Sequence, residues 1–96
     1  MLRAVFSGRA LQDVERLHGF LVDKNERAAA KAVAEIRAAL KKIEQFPASG
    51  RPVKDALGDA RDWTFPFGAG AYIVRYRIDP EQITVLRVRH SLEAGF

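Results

Sequence analysis

Apolar side chains recur every three to four positions in two stretches of the first half of the chain, residues 8–22 and residues 26–46. This spacing puts the apolar side chains of each stretch on one face of an α-helix. Ser7 and Asn25 directly precede the two stretches, and their side chains can accept an unpaired amide proton at a helix start. The pattern predicts two helices that pack together as a hairpin. The core stripe of the second helix is predicted to be Ala29, Val33, Ile36, Leu40 and Ile43.

The second half of the chain changes to the alternation of apolar and polar residues that is typical of β-strands. Residues 72–78 and residues 83–90 show it most clearly, and residues 2–6 and residues 61–65 predict two shorter strands. A Pro-Ala-Ser-Gly-Arg-Pro run after the second helix stops helix formation. We expect residues 53–60 to form an irregular bridge or a short turn.

These elements predict an α+β fold with the order β-α-α-β-β-β. Its antiparallel sheet packs one apolar face against the N-terminal helical hairpin. The chain has 96 residues, of which 48% are hydrophobic, so it can build one core and one domain, residues 1–96.

Four arginines stand out in the last two predicted strands. Arg75 and Arg77 share one side of their strand, and Arg87 and Arg89 share one side of theirs, because strand side chains alternate. A loop of three or five residues between the strands puts all four on one face, whereas a loop of four residues splits them. We favour the first register because it leaves an apolar inner face. The prediction is an outward guanidinium cluster that suits an anionic or acidic partner.

Composition limits the chemistry that the chain can perform. It contains no cysteine, which excludes disulfides, thiolate metal sites and cysteine nucleophiles. Its histidines, His18 and His90, are isolated, and we expect no metal and no cofactor. The net charge is +4, which favours anionic partners. No stretch approaches the roughly 20 apolar residues of a membrane span, and the N-terminus lacks a signal-peptide pattern, so we expect a soluble cytoplasmic protein.

Several sequence motifs, taken in order, are similar to those of one protein family. They are Phe-Pro-Ala-Ser-Gly-Arg-Pro at residues 46–52, Trp-Thr-Phe-Pro-Phe-Gly at residues 63–68, and the strands at residues 72–79 and 83–90. Together they resemble the RelE/ParE toxin superfamily of type II toxin–antitoxin systems, and its ParE branch in particular. The resemblance implies the β-α-α-β-β-β order and a cognate antitoxin whose acidic, amphipathic C-terminal segment wraps the toxin. DNA would then be bound only indirectly, through the antitoxin.

The family includes two activities, and the fold does not decide between them. ParE-type toxins poison DNA gyrase and can stabilise plasmids, whereas RelE-type toxins cut mRNA in the ribosomal A site. RelE-like nucleases usually place an arginine after the tyrosine that opens the third strand, but here Ile73 follows Tyr72. They also carry basic residues and tyrosine past the last strand, where residues 91–96 read Ser-Leu-Glu-Ala-Gly-Phe. Both departures favour a gyrase inhibitor that acts by protein binding and not as an enzyme.

The residues predicted to contact the antitoxin or the target are Arg75, Arg77, Arg87, Arg89 and Trp63. We expect antitoxin carboxylates to compensate the arginines, because Asp79, Glu81 and Glu93 are too few and too peripheral. Two alternatives remain. One is a metal-free mRNA interferase, for which the candidate catalytic residues are Arg61, Arg75, Arg87 and His90. The other is a non-toxic nucleic-acid-binding module, whose binding would weaken steeply with salt.

Overall fold

The computed structural model describes residues 1–56 and 58–93. Over these residues the elements follow in the order β1 (Ala4–Phe6), α1 (Gly8–Val22), α2 (Glu26–Gln45), a 3₁₀ turn (Pro47–Ser49), β2 (Arg51–Asp55), β3 (Gly58–Phe67), β4 (Gly70–Ile78) and β5 (Ile83–His90). The described strands form one five-stranded sheet in the order β1-β5-β4-β3-β2. The α+β fold, with a helical hairpin against one sheet face, is confirmed.

The helix starts agree with the sequence pattern. The Ser7 hydroxyl accepts a hydrogen bond from the amide of Ala10, and the Asn25 side chain accepts one from the amide of Ala28, both at 3.1 Å. Within the described part of the chain, neither helix is long and apolar enough to cross a membrane.

The core lies between the helical hairpin and the central strands. Small residues of α2, such as Ala32 and Ala39, let α1 approach closely, and Tyr72 and Tyr76 fill the space above the sheet. Val33 is only half-buried, unlike the rest of the predicted stripe. The largest fully buried side chains are Tyr72, Tyr76, Ile36, Ile43, Ile83, Val74, Val85 and Val88.

One prediction about the sheet is wrong. Residues 53–60 do not form an irregular bridge, because β2 and the start of β3 pair across them, with Val53 opposite Ala60. Pro52 is tolerated there because β2 is an edge strand, where a missing N–H group need not break the ladder. The sheet is mostly antiparallel, as predicted, although β1 runs parallel to β5 with Phe6 opposite Val85.

The hairpin between β4 and β5 combines a four-residue loop with a β-bulge. Ile78 pairs with Ile83, which leaves a loop of four residues. A loop of this length was expected to place the arginines on both faces of the sheet. The register then shifts by one residue. Tyr76 pairs with Val85, but Arg75, the residue before it, pairs with Arg87. Leu86 is the extra residue of this bulge, and it reverses the alternation that the sequence predicted for β5.

As a result, the four arginines lie on the sheet surface that faces away from the helices, which we call the outer face. Arg75 and Arg87 are direct cross-strand partners, and Arg77 and Arg89 lie two residues from them on the same side. The predicted common face is confirmed, although it arises from the bulge and not from the loop length.

Candidate functional site

Arg75 at the centre of the outer face is held by carboxylates of the neighbouring strands. Its Nε and Nη2 atoms donate to the two carboxylate oxygens of Asp62 at 2.8 and 3.0 Å, and its Nη1 donates to Asp55 at 3.0 Å. The Arg75 side chain is 15% exposed. The guanidinium therefore links β4 to β3 and β2, since Asp62 and Asp55 belong to those strands.

Arg87 is bound in the same way by the first helix. Its Nε and Nη2 atoms donate to the carboxylate of Asp13 at 2.8 and 3.1 Å. Asp13 also accepts the amide of Val88 at 2.9 Å and Nη1 of Arg16 at 2.6 Å. Because β1 ends at Phe6, α1 lies along the edge of β5 beyond it, and Asp13 takes the place that a further strand residue would occupy.

Arg77 folds onto the hairpin loop. Its Nε donates to Asp79 at 2.7 Å, and the Thr84 hydroxyl donates to the other oxygen of the same carboxylate at 2.6 Å. The expectation that an antitoxin must compensate the arginines is therefore wrong for Arg75, Arg77 and Arg87. Carboxylates of this chain do so.

The sequence contains a signal for one of the carboxylates that pair with the arginines and were not predicted. Asp13 stands three residues after Ala10 and four before Leu17, so it interrupts the buried stripe of α1. A carboxylate at such a position must have partners, because burying it alone is costly. Asp55 and Asp62 had no such signal, because their pairing with Arg75 depends on the order of β2, β3 and β4 in the sheet.

The structure does not bring together the residues of the interferase hypothesis. Arg61 and His90 are the cross-strand partners of Tyr76 and Tyr72, so both lie on the helix side of the sheet, opposite Arg75 and Arg87. The Nη1 atom of Arg61 donates to the backbone oxygens of Ala48 and Gly50, each at 2.8 Å.

The ring of His90 is also engaged. Its Nε2 lies 2.8 Å from the carbonyl oxygen of Phe67, and its Nδ1 accepts the amide of Leu92 at 3.3 Å. The neutral ring with a proton on Nε2 satisfies both contacts. His90 therefore joins the last residues of β3 to the segment after β5.

Trp63 is separated from the arginine cluster. It faces Val74 across β3 and β4, and it packs with Phe65 and Phe67 against the core. The five residues predicted to bind a partner thus lie on two opposite sides of the sheet.

A second surface feature was not predicted. A groove of about 500 Å³ lies between α1, the turn joining β3 to β4, and the segment after β5. We call it the apolar groove, and it is lined mainly by Leu17, Phe20, Leu21, Phe67, Tyr72 and Leu92. Arg16 and Glu93 form its polar rim, with Nε and Nη2 of Arg16 donating to the Glu93 carboxylate at 3.1 and 3.2 Å. Residues 94–96, part of the segment compared with the nucleases, lie outside the described residues.

Two carboxyl groups at this surface have lowered pKa values. Burial alone would raise the pKa of Asp13, but hydrogen bonds from Arg87, Arg16 and the Val88 amide outweigh it and hold the pKa below its ordinary value. For Glu93, burial likewise opposes the shift, and the His90 amide and Arg16 lower the pKa. Among the described residues, no group of His, Asp and Glu side chains could hold a metal ion.

The protein is expected to lose stability as the pH falls below about 4. Because the folded-state pKa values of Asp13 and Glu93 lie below those of the unfolded chain, their ionised forms contribute stability above the unfolded-state values. That contribution disappears as the pH falls through the folded-state values. Urea unfolding from about pH 7 to about pH 3 measures it, and Asp13→Asn should give a flatter profile. Equal free energies of unfolding at about pH 7 and about pH 3 would contradict this prediction.

Comparisons with known proteins agree with the fold. The sequence profile of the family described as "ParE toxin of type II toxin-antitoxin system, parDE" matches residues 4–95. Toxin RelE1 of Caulobacter vibrioides is 38% identical over 87 residues, covering 91% of this chain and 90% of that protein. Toxin RelE3 of the same organism is 31% identical over 85 residues, covering 88% and 89%.

A solved structure shows the same fold. The structure titled "Chromosomal ParDE TA system from P. aeruginosa" superimposes with a TM-score of 0.74 at 22% identity, over 94% of this chain and 96% of that one. The two chains therefore share a fold over nearly their whole lengths. With the profile match over nearly the whole sequence, the chain belongs to the ParE toxin family of type II toxin–antitoxin systems.

Proposed function

We propose that this toxin inhibits DNA gyrase by binding it, without making or breaking bonds itself, and that a cognate antitoxin neutralises it. One observation carries the choice of gyrase over RNA cleavage. The four candidate side chains for metal-free cleavage lie on two opposite faces of the sheet, and Arg61, Arg75, Arg87 and His90 are each engaged in contacts that support the fold.

The chemistry explains why this arrangement favours a binding mechanism. Cleavage without a metal needs a base for the 2′-hydroxyl proton and cations that converge on the same phosphate. His90 has both ring nitrogens in contacts with the backbone of Phe67 and Leu92, and it lies on the side of the sheet away from Arg75 and Arg87. Gyrase acts in the cytoplasm, so the proposal also places the toxin there.

The mRNA interferase remains the second candidate, because one observation favours it. Arg75 and Arg87 face each other across β4 and β5 on the outer face. Two adjacent guanidinium groups could bind a phosphate if their aspartate partners moved away. Such a nuclease would need the ion pairs of Arg75 and Arg87 with their aspartate partners to break, whereas the proposed gyrase inhibitor keeps these ion pairs.

A supercoiling assay with purified gyrase tests the proposal. The toxin in molar excess should stop supercoiling and accumulate cleaved DNA, and addition of the antitoxin should restore activity. His90→Ala should inhibit as the wild type does, since no catalytic step depends on the imidazole. Undisturbed gyrase, together with A-site mRNA cuts that vanish in His90→Ala, would replace the proposal by the interferase.

A further inference from the structure

Five cations lie on the side of α2 that faces solvent. Within the described part of the chain none of them forms a salt bridge, whereas Arg75, Arg77 and Arg87 on the sheet bind aspartates. All five side chains are exposed, and we call them the basic face of α2: Arg27, Lys31, Arg37, Lys41 and Lys42. The sheet arginines are thus neutralised inside the protein, while the basic face is open to an external anion.

The three glutamates of α2 do not neutralise this face. Glu26 is the first residue of the helix, where its charge meets the positive end of the helix dipole. Glu44 accepts the Ala4 amide at 2.8 Å, and one carboxylate oxygen of Glu35 is buried. A helix face that serves only solubility typically carries charges of both signs, spaced so that they attract each other. The basic face carries one sign, which is typical of a surface that binds a polyanion.

Four of the five cations form two pairs along the helix. Residues four positions apart are neighbours on a helix surface, so Arg27 lies beside Lys31 and Arg37 lies beside Lys41. Such like-charge pairs destabilise a helix unless an anion compensates them. The row of residues between the two pairs is small and exposed: Ala30, Ala34 and Ala38. Small side chains between the pairs let a polyanion approach the helix closely.

We propose that the basic face of α2 binds the phosphate backbone of duplex DNA directly. From Arg27 to Lys42 the helix is about 22 Å long, at about 1.5 Å per residue. A DNA major groove of about 12 Å accepts a helix, so the alanine row faces the groove while the two pairs of cations reach the phosphates on either side. The resemblance to the toxin family implies only an indirect contact with DNA, through the antitoxin, and this proposal adds a direct one.

Two other polyanions fit the basic face less well. The major groove of duplex RNA is deep and narrow, so it does not admit the helix in the same way. Helices that bind membrane surfaces insert large apolar side chains into the lipid, whereas the large apolar side chains of α2 are packed in the core: Ile36, Leu40 and Ile43. Within the proposed inhibition of gyrase, the DNA is the segment that gyrase holds, and this last statement rests on the proposed function.

Fluorescence anisotropy with a short labelled DNA duplex tests the proposal on the purified toxin alone. The wild-type protein should bind at low salt, and its affinity should fall steeply as salt rises, because bound phosphates release their counterions. The double variant Arg37→Gln with Lys41→Gln should weaken binding at least about tenfold. It should also lower the slope of log affinity against log salt by about two, because two phosphate contacts are lost.

The matched control removes the same charges from the edge strand β2. Arg51→Gln with Lys54→Gln also replaces one exposed arginine and one exposed lysine, so the net charge falls equally. It should leave the salt slope unchanged. Arg37→Lys with Lys41→Arg keeps both charges and should bind as the wild type does, because a phosphate contact here needs only the charge. All variants should melt close to the wild type, since the replaced side chains are exposed.

A gyrase assay separates this proposal from the proposed function. Arg37→Gln with Lys41→Gln should require about tenfold more toxin to stop supercoiling, while its affinity for DNA-free gyrase stays that of the wild type. A wild-type toxin that leaves gyrase undisturbed but binds DNA through the basic face would contradict the proposed function and support this proposal.

Three results would overturn the proposal. The first is a wild-type protein without affinity for duplex DNA at low salt. The second is equal DNA affinity of the wild type and the Arg37→Gln, Lys41→Gln variant. The third is tighter binding of single-stranded RNA than of duplex DNA, which would assign the basic face to RNA.

Discussion

Replacing Asp13 by asparagine is expected to lower the free energy of unfolding by about 3–5 kcal/mol. The Asp13 side chain is 3% exposed and holds Arg87, Arg16 and the Val88 amide at once. The asparagine side chain has no negative charge. Its NH₂ group would also point a hydrogen-bond donor towards N–H groups that are themselves donors. The variant therefore leaves partly buried cations without their counter-ion.

Differential scanning calorimetry should show this loss as a decrease in Tm of more than about 12 °C, given the size of the chain. Asp59→Asn is the matched control. Asp59 also pairs with a cation, Lys54, but both side chains are 87% exposed, and such pairs contribute little to stability. We expect no measurable change in its Tm. Equal melting of the two variants would show that the Asp13 cluster does not hold α1 to the sheet.

The sequence predicted the parts of the fold that local patterns determine. The helical stripe, the caps at Ser7 and Asn25 and the alternation in β4 all depend on neighbours within a few residues. These local preferences agree with the final fold, which explains why they could be read in advance. The position of β2 was missed because its pattern of one apolar residue, Val53, among proline and charged residues is not a strand pattern.

The site was harder to predict because it depends on contacts between distant segments. The bulge at Leu86 lies beside the point where Asp13 of α1 accepts the Val88 amide, and nothing in the pattern of β5 predicts that contact. Four arginines in two strands correctly indicated one face. The same pattern could not show that Asp62 would pair with Arg75, since this depends on which strands become neighbours.

The same distinction applies to function. Motif order gave the family, because the fold constrains the whole chain. The apolar groove combines residues from α1, the turn after Phe67 and the segment after His90, which are far apart in the sequence. Each of these segments alone is unremarkable, so the groove can be recognised only from their arrangement in space.

Gly50→Ala is expected to destabilise the protein by about 3 kcal/mol, through crowding and a lost hydrogen bond. The backbone at Gly50 is extended, so glycine is needed there for space and not for an unusual φ angle. A Cβ atom would lie 2.9 Å from both Cε1 and Cζ of Tyr76 and would collide with its hydroxyl.

Tyr76 cannot move away from that collision without further losses. Its ring is fully buried, and its hydroxyl accepts the Gly50 amide at 3.1 Å and donates to the Pro47 carbonyl at 2.6 Å. Arg61 also donates to the Gly50 carbonyl. A shift of the Gly50 segment would therefore disturb the connection between the end of α2 and the start of β2.

Denaturant unfolding of Gly50→Ala beside Gly19→Ala measures the effect against a glycine with open space around it. A Cβ atom at Gly19 meets nothing within 4 Å. Because Gly19 lies inside α1, alanine there should stabilise the protein by roughly 0.5–1 kcal/mol. In the double variant Gly50→Ala with Tyr76→Phe, the missing hydroxyl relieves the worst contact, so the two losses should be less than additive. Strict additivity would mean that crowding against Tyr76 is not the cause.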